Sequence, residues 1–360
     1  MRGDELEILQ GIEIHVSQIR YGMSKYYRLC FECGTAYRGV VRNPTPKEFL
    51  MNNVRALLLT EYGGADAARI ASIAAPTPAA GQVLVRVHAA GVNALDWKVR
   101  EGLVRDAFPL QLPTVLGIEL AGVVEAVGAG VTRLRRGDRV MGPRGGLGAY
   151  AELVAVDAAN LSLVPDALGF VEAAALPIAA VTAWQSLNAA GPLRAGQRIL
   201  IQGAAGAVGG FAVQFAHQAG ATVYATALHR QADSVRSLGA DRVIAYDQEP
   251  FEHALSDIEL VLDYVGGEVL SRAWSVLAEN GAIVSTVSPA ILSSTPAGRR
   301  GLWFMHTPDA ARLQAIAEDV AHARLQSRIG AVVRFDDLPA AIERKRTQPQ
   351  TGKTVVDFSA

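Results

Sequence analysis

The feature that most constrains this chain is a short apolar strand that runs into a glycine turn and out into a helix. Arg198-Ile-Leu-Ile-Gln202 is followed by Gly203-Ala-Ala-Gly206-Ala-Val-Gly209, and residues 211–219 then read as helix. In such a segment the first glycine makes the tight turn and the second lets backbone N–H groups approach a pyrophosphate. The third lets the helix pack closely on the strand. The helix start presents its positive dipole end to the phosphates. By itself a glycine triplet is weak in a chain with 35 glycines, because a packing-driven turn has the same spacing. The flanks decide for a nucleotide site. A helical stretch over 171–190, interrupted by Pro177, precedes the strand. Strands over 222–226, 242–245, 258–263 and 282–286 follow it, alternating with helices around 231–238 and 269–277. Alternation of this kind makes a parallel sheet covered on both faces. Gly203, Ala205, Gly206, Ala207, Val208 and Gly209 are therefore expected to cradle a dinucleotide.

Which dinucleotide is set at the end of the next strand. NAD sites carry an acid there for the ribose 2′-OH, and that charge would repel a 2′-phosphate. This strand reads Thr222-Val-Tyr-Ala-Thr226-Ala227-Leu-His229-Arg230, with Ala227 where the acid would stand and no carboxylate before Asp233. Thr226 ends the strand beside the turn. Arg230 is a charge-assisted donor suited to phosphate, and Tyr246 closes the following strand with a hydroxyl for the same group. A solvated cation at a helix start is the alternative for Arg230. The residues favour NADP(H).

Upstream the character is different. Residues 53–60, 82–88, 122–127, 138–141 and 149–154 are β-patterned runs with turn signals every dozen or so residues, as in a mainly β domain. A helix over 310–325 precedes two short β pieces at 331–335 and 354–358, which suggests that the chain returns to the first domain. Residues 1–50 are rich in Tyr, Phe and charge, and the composition shifts to Ala, Val and Gly at Met51. They are expected to be an extension, disordered or the product of an upstream start. Cys30 and Cys33, the only thiols, form a lone CxxC, which is half a zinc site and reads as an incidental pair. With 34 basic residues against 35 acidic ones, nothing in the charge favours nucleic acid. No run approaches the ~20 uninterrupted apolar residues of a membrane span. A cytoplasmic protein with no membrane partner is expected.

Several ordered motifs carry a family resemblance. Gly91-Val-Asn93-Ala-Leu-Asp96, Gly117-Ile118-Glu119, Gly137-Asp138-Arg139-Val140, Glu172-Ala-Ala-Ala-Leu-Pro177, Thr182-Ala183 and the fingerprint occur in the order seen in medium-chain dehydrogenases/reductases. The chain from Met51 onward resembles the zinc-free, quinone oxidoreductase (zeta-crystallin-like) branch. Zinc alcohol dehydrogenases of that superfamily carry a Cys ligand where this chain has Asn93 and a His ligand where it has Ile118. An amide and an isoleucine cannot replace them.

The resemblance implies an α/β fold: a GroES-like β domain over 51–175 and 318–360 plus a Rossmann doubly wound parallel-sheet NADP-binding domain over 176–317. It implies a homodimer and NADPH-dependent reduction of a quinone or an α,β-unsaturated carbonyl. Reduction of another carbonyl or enoyl substrate, or NADPH binding without catalysis, would sit on the same fold. Asn93 is implied at the nicotinamide ribose or the acceptor oxygen, with a buried structural amide as the alternative. Thr182 is implied beside the nicotinamide, unless it bonds its own helix backbone. Lys98, in Asp96-Trp-Lys98, is implied to reach cofactor and substrate, unless it pairs with Asp96. Asp263, Val265 and Val287 resemble the loops that meet the nicotinamide, and Lys353 resembles the lysine of the family's closing Gly-Lys pair.

Overall fold

The computed structural model describes residues 53–106 and 109–359. The expectations for residues 1–50, including Cys30 and Cys33, lie outside the described residues.

The N-terminal half is built around one long strand. β1 (Asn53–Leu59), β2 (Ala68–Ala74) and β4 (Thr114–Val115) form a three-stranded sheet in the order β2-β1-β4. β3 (Gln82–Val92) is the spine of a seven-stranded sheet. It pairs antiparallel with β5 (Glu119–Val127), β7 (Leu153–Asp157) and β16 (Lys353–Asp357). β6 (Arg139–Pro143) and β8 (Ser162–Leu163) extend one side, and β15 (Ile329–Arg334) lies parallel to β16 on the other. The C-terminal strands therefore rejoin the sheet begun by β3. Alternate residues of β3, namely Val83, Val85 and Val87, enter a single core with Leu57, Leu120, Val140, Val156 and Val356.

The central segment makes a six-stranded sheet, all of whose pairings are parallel. It comprises β9 (Arg198–Gln202), β10 (Thr222–Ala227), β11 (Arg242–Ala245), β12 (Ile258–Asp263), β13 (Leu277–Ser285) and β14 (Arg300–Trp303). Their order is β11-β10-β9-β12-β13-β14, so the chain reverses direction between β9 and β12. The period-2 pattern divides the side chains between two cores. Ile199, Ile201, Val223 and Leu262 enter one, while Leu200, Ile244, Val261 and Ile283 enter the other. Both faces are thus buried, which is why these strands read as continuous apolar runs.

The protein is an α/β fold with a GroES-like β domain and a Rossmann-type parallel-sheet domain. The stretch Phe170–Asn188 is long and apolar enough by composition to cross a membrane, which the sequence reading did not recognise. It is two helices, Phe170–Ala174 and Ala179–Asn188, parted near Pro177. About two thirds of it is buried in the protein's own core.

Candidate functional site

Three strand ends meet because of register. In β3 and β5, Ala90 pairs with Leu120, so Gly91 lies one residue further on, beside Glu119. In β3 and β16, Val92 pairs with Thr354, which brings Lys353 beside Asn93. The Lys353 ammonium donates to Asn93 Oδ1 at 2.7 Å and forms an ion pair with Glu119 Oε1. Asn93 Nδ2 donates to Glu119 Oε1 at 2.8 Å and to the Gly91 carbonyl at 3.1 Å. Glu119 Oε2 accepts the Ile178 N–H at 2.7 Å, which ties this cluster to the start of the helix Ala179–Asn188. Glu119 and Lys353 are both buried. Gly91 carries no side chain because a Cβ there would stand 2.4 Å from Glu119 Oε1 and 2.6 Å from Lys353 Cε.

This network limits what Asn93 can do. Both hydrogens of its amide are committed, so it can accept a hydrogen bond from a ribose hydroxyl but cannot donate one to an acceptor oxygen. It is a half-buried structural amide as much as a ligand contact.

Asp96 is buried, and its Oδ2 accepts the Asn93 N–H and the Tyr150 hydroxyl, each at 2.6 Å. Burial pushes its carboxyl up to about 6, against those hydrogen bonds. It does not pair with Lys98. Lys98, on the helix Ala94–Arg100, makes no ion pair among the described residues, and burial lowers its ammonium while the charge of Asp263 opposes the shift. Its Nζ lies over the Trp97 ring, 5.8 Å from the ring centroid.

The glycine turn is built as its sequence dictates. Gly203 has φ +73°, in the left-handed region, and Gly206 precedes the helix Ala207–Gln218. Gly209 packs against the turn, where a Cβ would stand 2.4 Å from the Gly203 carbonyl oxygen. Thr226 Oγ1 accepts the Gly203 N–H at 3.3 Å, so Thr226 braces the turn from the next strand. The C-terminal loop lies across it: the Gly352 N–H donates to the Ala205 carbonyl at 2.8 Å. Ala207 and Val208 are half-buried in the first helical turn. Arg230 is exposed just past β10, and Tyr246, half exposed, lies close enough that the Arg230 charge acts on its hydroxyl. Asp247 stands beside them and accepts the His229 N–H at 2.8 Å, an acid the sequence reading did not place there.

Asp263 is placed behind its loop rather than on the loop's surface. Its Oδ1 accepts the N–H groups of Val265 and Gly266 at 3.0 and 2.7 Å, and its Oδ2 accepts the Ser285 hydroxyl at 2.6 Å. With both oxygens engaged it shapes the two loops, while Val265 is exposed and Val287 half-buried. Thr182 is nearly buried, and its Oγ1 lies 3.4 Å from His306 Nδ1. His306 carried no sequence signal. Burial holds its imidazole below the usual range, opposed by the charge of Glu119.

Residues 79–166 match the alcohol dehydrogenase GroES-like domain, and residues 238–356 match the family described as zinc-binding dehydrogenase. A 2-methylene-furan-3-one reductase from Solanum lycopersicum is 35% identical over 320 residues, 85% of this chain and 79% of that protein. The chain belongs to the medium-chain dehydrogenase/reductase family. An NADPH-dependent alkenal/one oxidoreductase of Arabidopsis thaliana chloroplasts is 31% identical, covering 95% of this chain and 90% of that one. The quinone oxidoreductase structure from Coxiella burnetii superposes with a TM-score of 0.82 at 30% identity, over 85% of this chain and 99% of that chain.

This medium-chain dehydrogenase/reductase has a donor set that does not fit zinc. Zinc takes four nitrogen, sulfur or carboxylate donors. Here an amide and an isoleucine occupy two of the family's ligand positions, and Glu119 is paired with Lys353. Among the described residues no group of three or more His, Cys, Asp or Glu gathers.

Lys345 carries a cost. It makes no ion pair among the described residues, and burial, with the Lys353 charge second, lowers its ammonium to about 8. A base lowered on folding penalises the folded state fully below the folded value, and the penalty disappears above the unfolded value. Lys345→Met should therefore raise the melting temperature at pH 7 by several degrees, on the order of 1–3 kcal/mol. The gain over wild type should shrink as pH rises from 8 toward 10.5. Paired melting curves across that range check it; a gain independent of pH would assign it to packing.

Proposed function

We propose that this chain reduces quinones or α,β-unsaturated carbonyls with NADPH, by hydride transfer without zinc. The observation that carries the reading is the ammonium of Lys98, which makes no ion pair among the described residues and lies over the Trp97 ring, while Glu119 and Lys353 neutralise each other and Asn93 bonds to both. The glycine turn over Gly203–Gly209 would hold the pyrophosphate, and Arg230 and Tyr246 the 2′-phosphate. The loops that carry Val265 and Val287 would line the nicotinamide end, with Asn93 Oδ1 accepting from the ribose.

When bound, NADPH supplies the hydride. A conjugated acceptor moves the arriving charge onto its oxygen, where donors held in a water-poor site stabilise it. Lys98 and Thr182 would serve as donors to that oxygen. Without a Lewis acid an alcohol does not readily become the alkoxide that hydride donation needs, so reduction is the favoured direction. The names of the tomato, Arabidopsis and Coxiella relatives agree with this chemistry.

The test is NADPH oxidation followed with a panel of small quinones, alkenals and saturated ketones. Turnover should be confined to the conjugated acceptors. Tight NADPH binding with no turnover on any quinone or enone would point to a non-catalytic role. Arg230→Glu should weaken NADPH roughly 10–100-fold while changing NADH little; equal losses for both cofactors would remove Arg230 from the phosphate site. A homodimer completes the proposal, since β14 ends its sheet with an open edge to which a second copy could add strands. A monomeric mass by light scattering would count against it.

A further inference from the structure

The segment after β14 is clamped at both ends against the site. The Phe304 N–H donates to the Ser285 carbonyl at 3.0 Å. Gln185 Nε2 donates to the Thr307 carbonyl at 3.0 Å and to its hydroxyl at 3.1 Å, and the Thr307 N–H returns to Gln185 Oε1 at 3.3 Å. Gln185 and Thr182 are three residues apart on one helix and share a face. Clamping Thr307 to Gln185 therefore holds His306 opposite Thr182, with Nδ1 3.4 Å from Oγ1. His306 Nε2 is buried and has no hydrogen-bond partner among the described residues.

The geometry points to His306 as a positioning residue whose Nδ1–H donates to Thr182 Oγ1, which leaves the Thr182 proton free to face the acceptor. Burial favours the neutral ring, in which one nitrogen carries the proton. The Nε2–H tautomer would leave a buried donor with no acceptor. The Nδ1–H tautomer leaves only an unpaired lone pair, and orphaned buried N–H groups are the rarer defect. Glu119, whose charge acts on the ring, is paired with Lys353 and does not reverse that choice. Once Oγ1 accepts from the imidazole, the threonine hydrogen must point elsewhere. Among the described residues the Thr182 hydroxyl makes no hydrogen bond to the Ile178 carbonyl, its usual helical acceptor. His306 thus turns Thr182 from a helix-bonding hydroxyl into a directed donor. The inference rests on the proposed reading in which Thr182 stands beside the reacting groups.

Asparagine places an N–H where Nδ1 stands, and glutamine places one nearer Nε2. His306→Asn should keep kcat within about threefold, while His306→Leu and His306→Gln should lower it on the order of 10–100-fold with NADPH Kd unchanged. Thr182→Val should lose a similar factor, and adding His306→Leu to it should cost little more. The proposal is overturned if His306→Leu leaves kcat intact. It is equally overturned if His306→Asn is as poor as leucine, or if the His306→Leu loss persists in full on the Thr182→Val background. A readout independent of turnover is the imidazole nitrogen spectrum, tractable with seven histidines. An Nδ1–H signal for His306 in the NADPH-free protein supports the proposal even if no acceptor is turned over, and an Nε2–H signal ends it.

Discussion

Lys353→Met should be among the most destabilising single substitutions in the molecule. Glu119 is fully buried and Lys353 nearly so, and the ammonium also holds Asn93 Oδ1. Removing one partner of a buried ion pair strands the other charge, at about 3–5 kcal/mol, whereas replacing both partners is often close to neutral. The single variant should melt on the order of 5–10 °C lower, and it should lose activity because Asn93 no longer has a fixed orientation. Glu119→Gln in the Lys353→Met background should recover part of the melting temperature, since the orphaned charge is then gone and the Ile178 N–H still finds an acceptor. Thermal unfolding of the two single variants and the double variant checks this. Additive losses would mean that the two residues do not act as a pair.

What the sequence made legible here is local. β9, β11 and β12 lie where the apolar runs put them, because strands buried on both faces need no alternation and cannot be mistaken for loops. The turn at Gly203 was legible because glycine is the residue that most readily adopts its φ of +73°. The short helix Ala94–Arg100 was not read, although Asn93 and Asp96 stand three apart as helix-start residues do and the Asn93 N–H does donate to Asp96. β2, the helix Leu338–Thr347 and the edge strand β14 were also missed; β14 has only four residues, only partly buried or exposed. The pairing of Lys353 with Glu119 spans 234 residues and arises from sheet register, which no single-sequence pattern encodes. Resemblance placed both residues among the family's motifs without saying that they touch. Nor could it foresee that Lys98 leaves Asp96 to Tyr150, or that Asp263 faces inward to brace its loop. His306 and Lys345 became visible only through burial and missing partners, which are properties of the folded surroundings.

The glycine turn allows the structural and ligand-binding roles of its residues to be separated. At Gly209 an added Cβ would lie 2.4 Å from the Gly203 oxygen and 2.7 Å from Ala204 Cα, and these are backbone atoms of the turn that cannot swing aside. Gly209→Ala must therefore push the helix off the end of β9. It should lower the melting temperature by several degrees and weaken NADPH at least tenfold, because the N–H groups that face the phosphates move with the helix. At Gly206 the nearest atom to an added Cβ is the Gly203 oxygen at 3.3 Å, and the backbone is in an ordinary extended conformation. Gly206→Ala should then melt within a degree or two of wild type, about 0.5 kcal/mol or less. It should still lose NADPH affinity roughly tenfold or more, since its methyl group occupies space that a close pyrophosphate needs. Differential scanning calorimetry beside NADPH titration separates the two effects. If Gly206→Ala bound NADPH as well as wild type, the second glycine would face no phosphate and the turn would be a packing device alone. The order of the two variants in stability and their convergence in affinity are what a dinucleotide cradle requires.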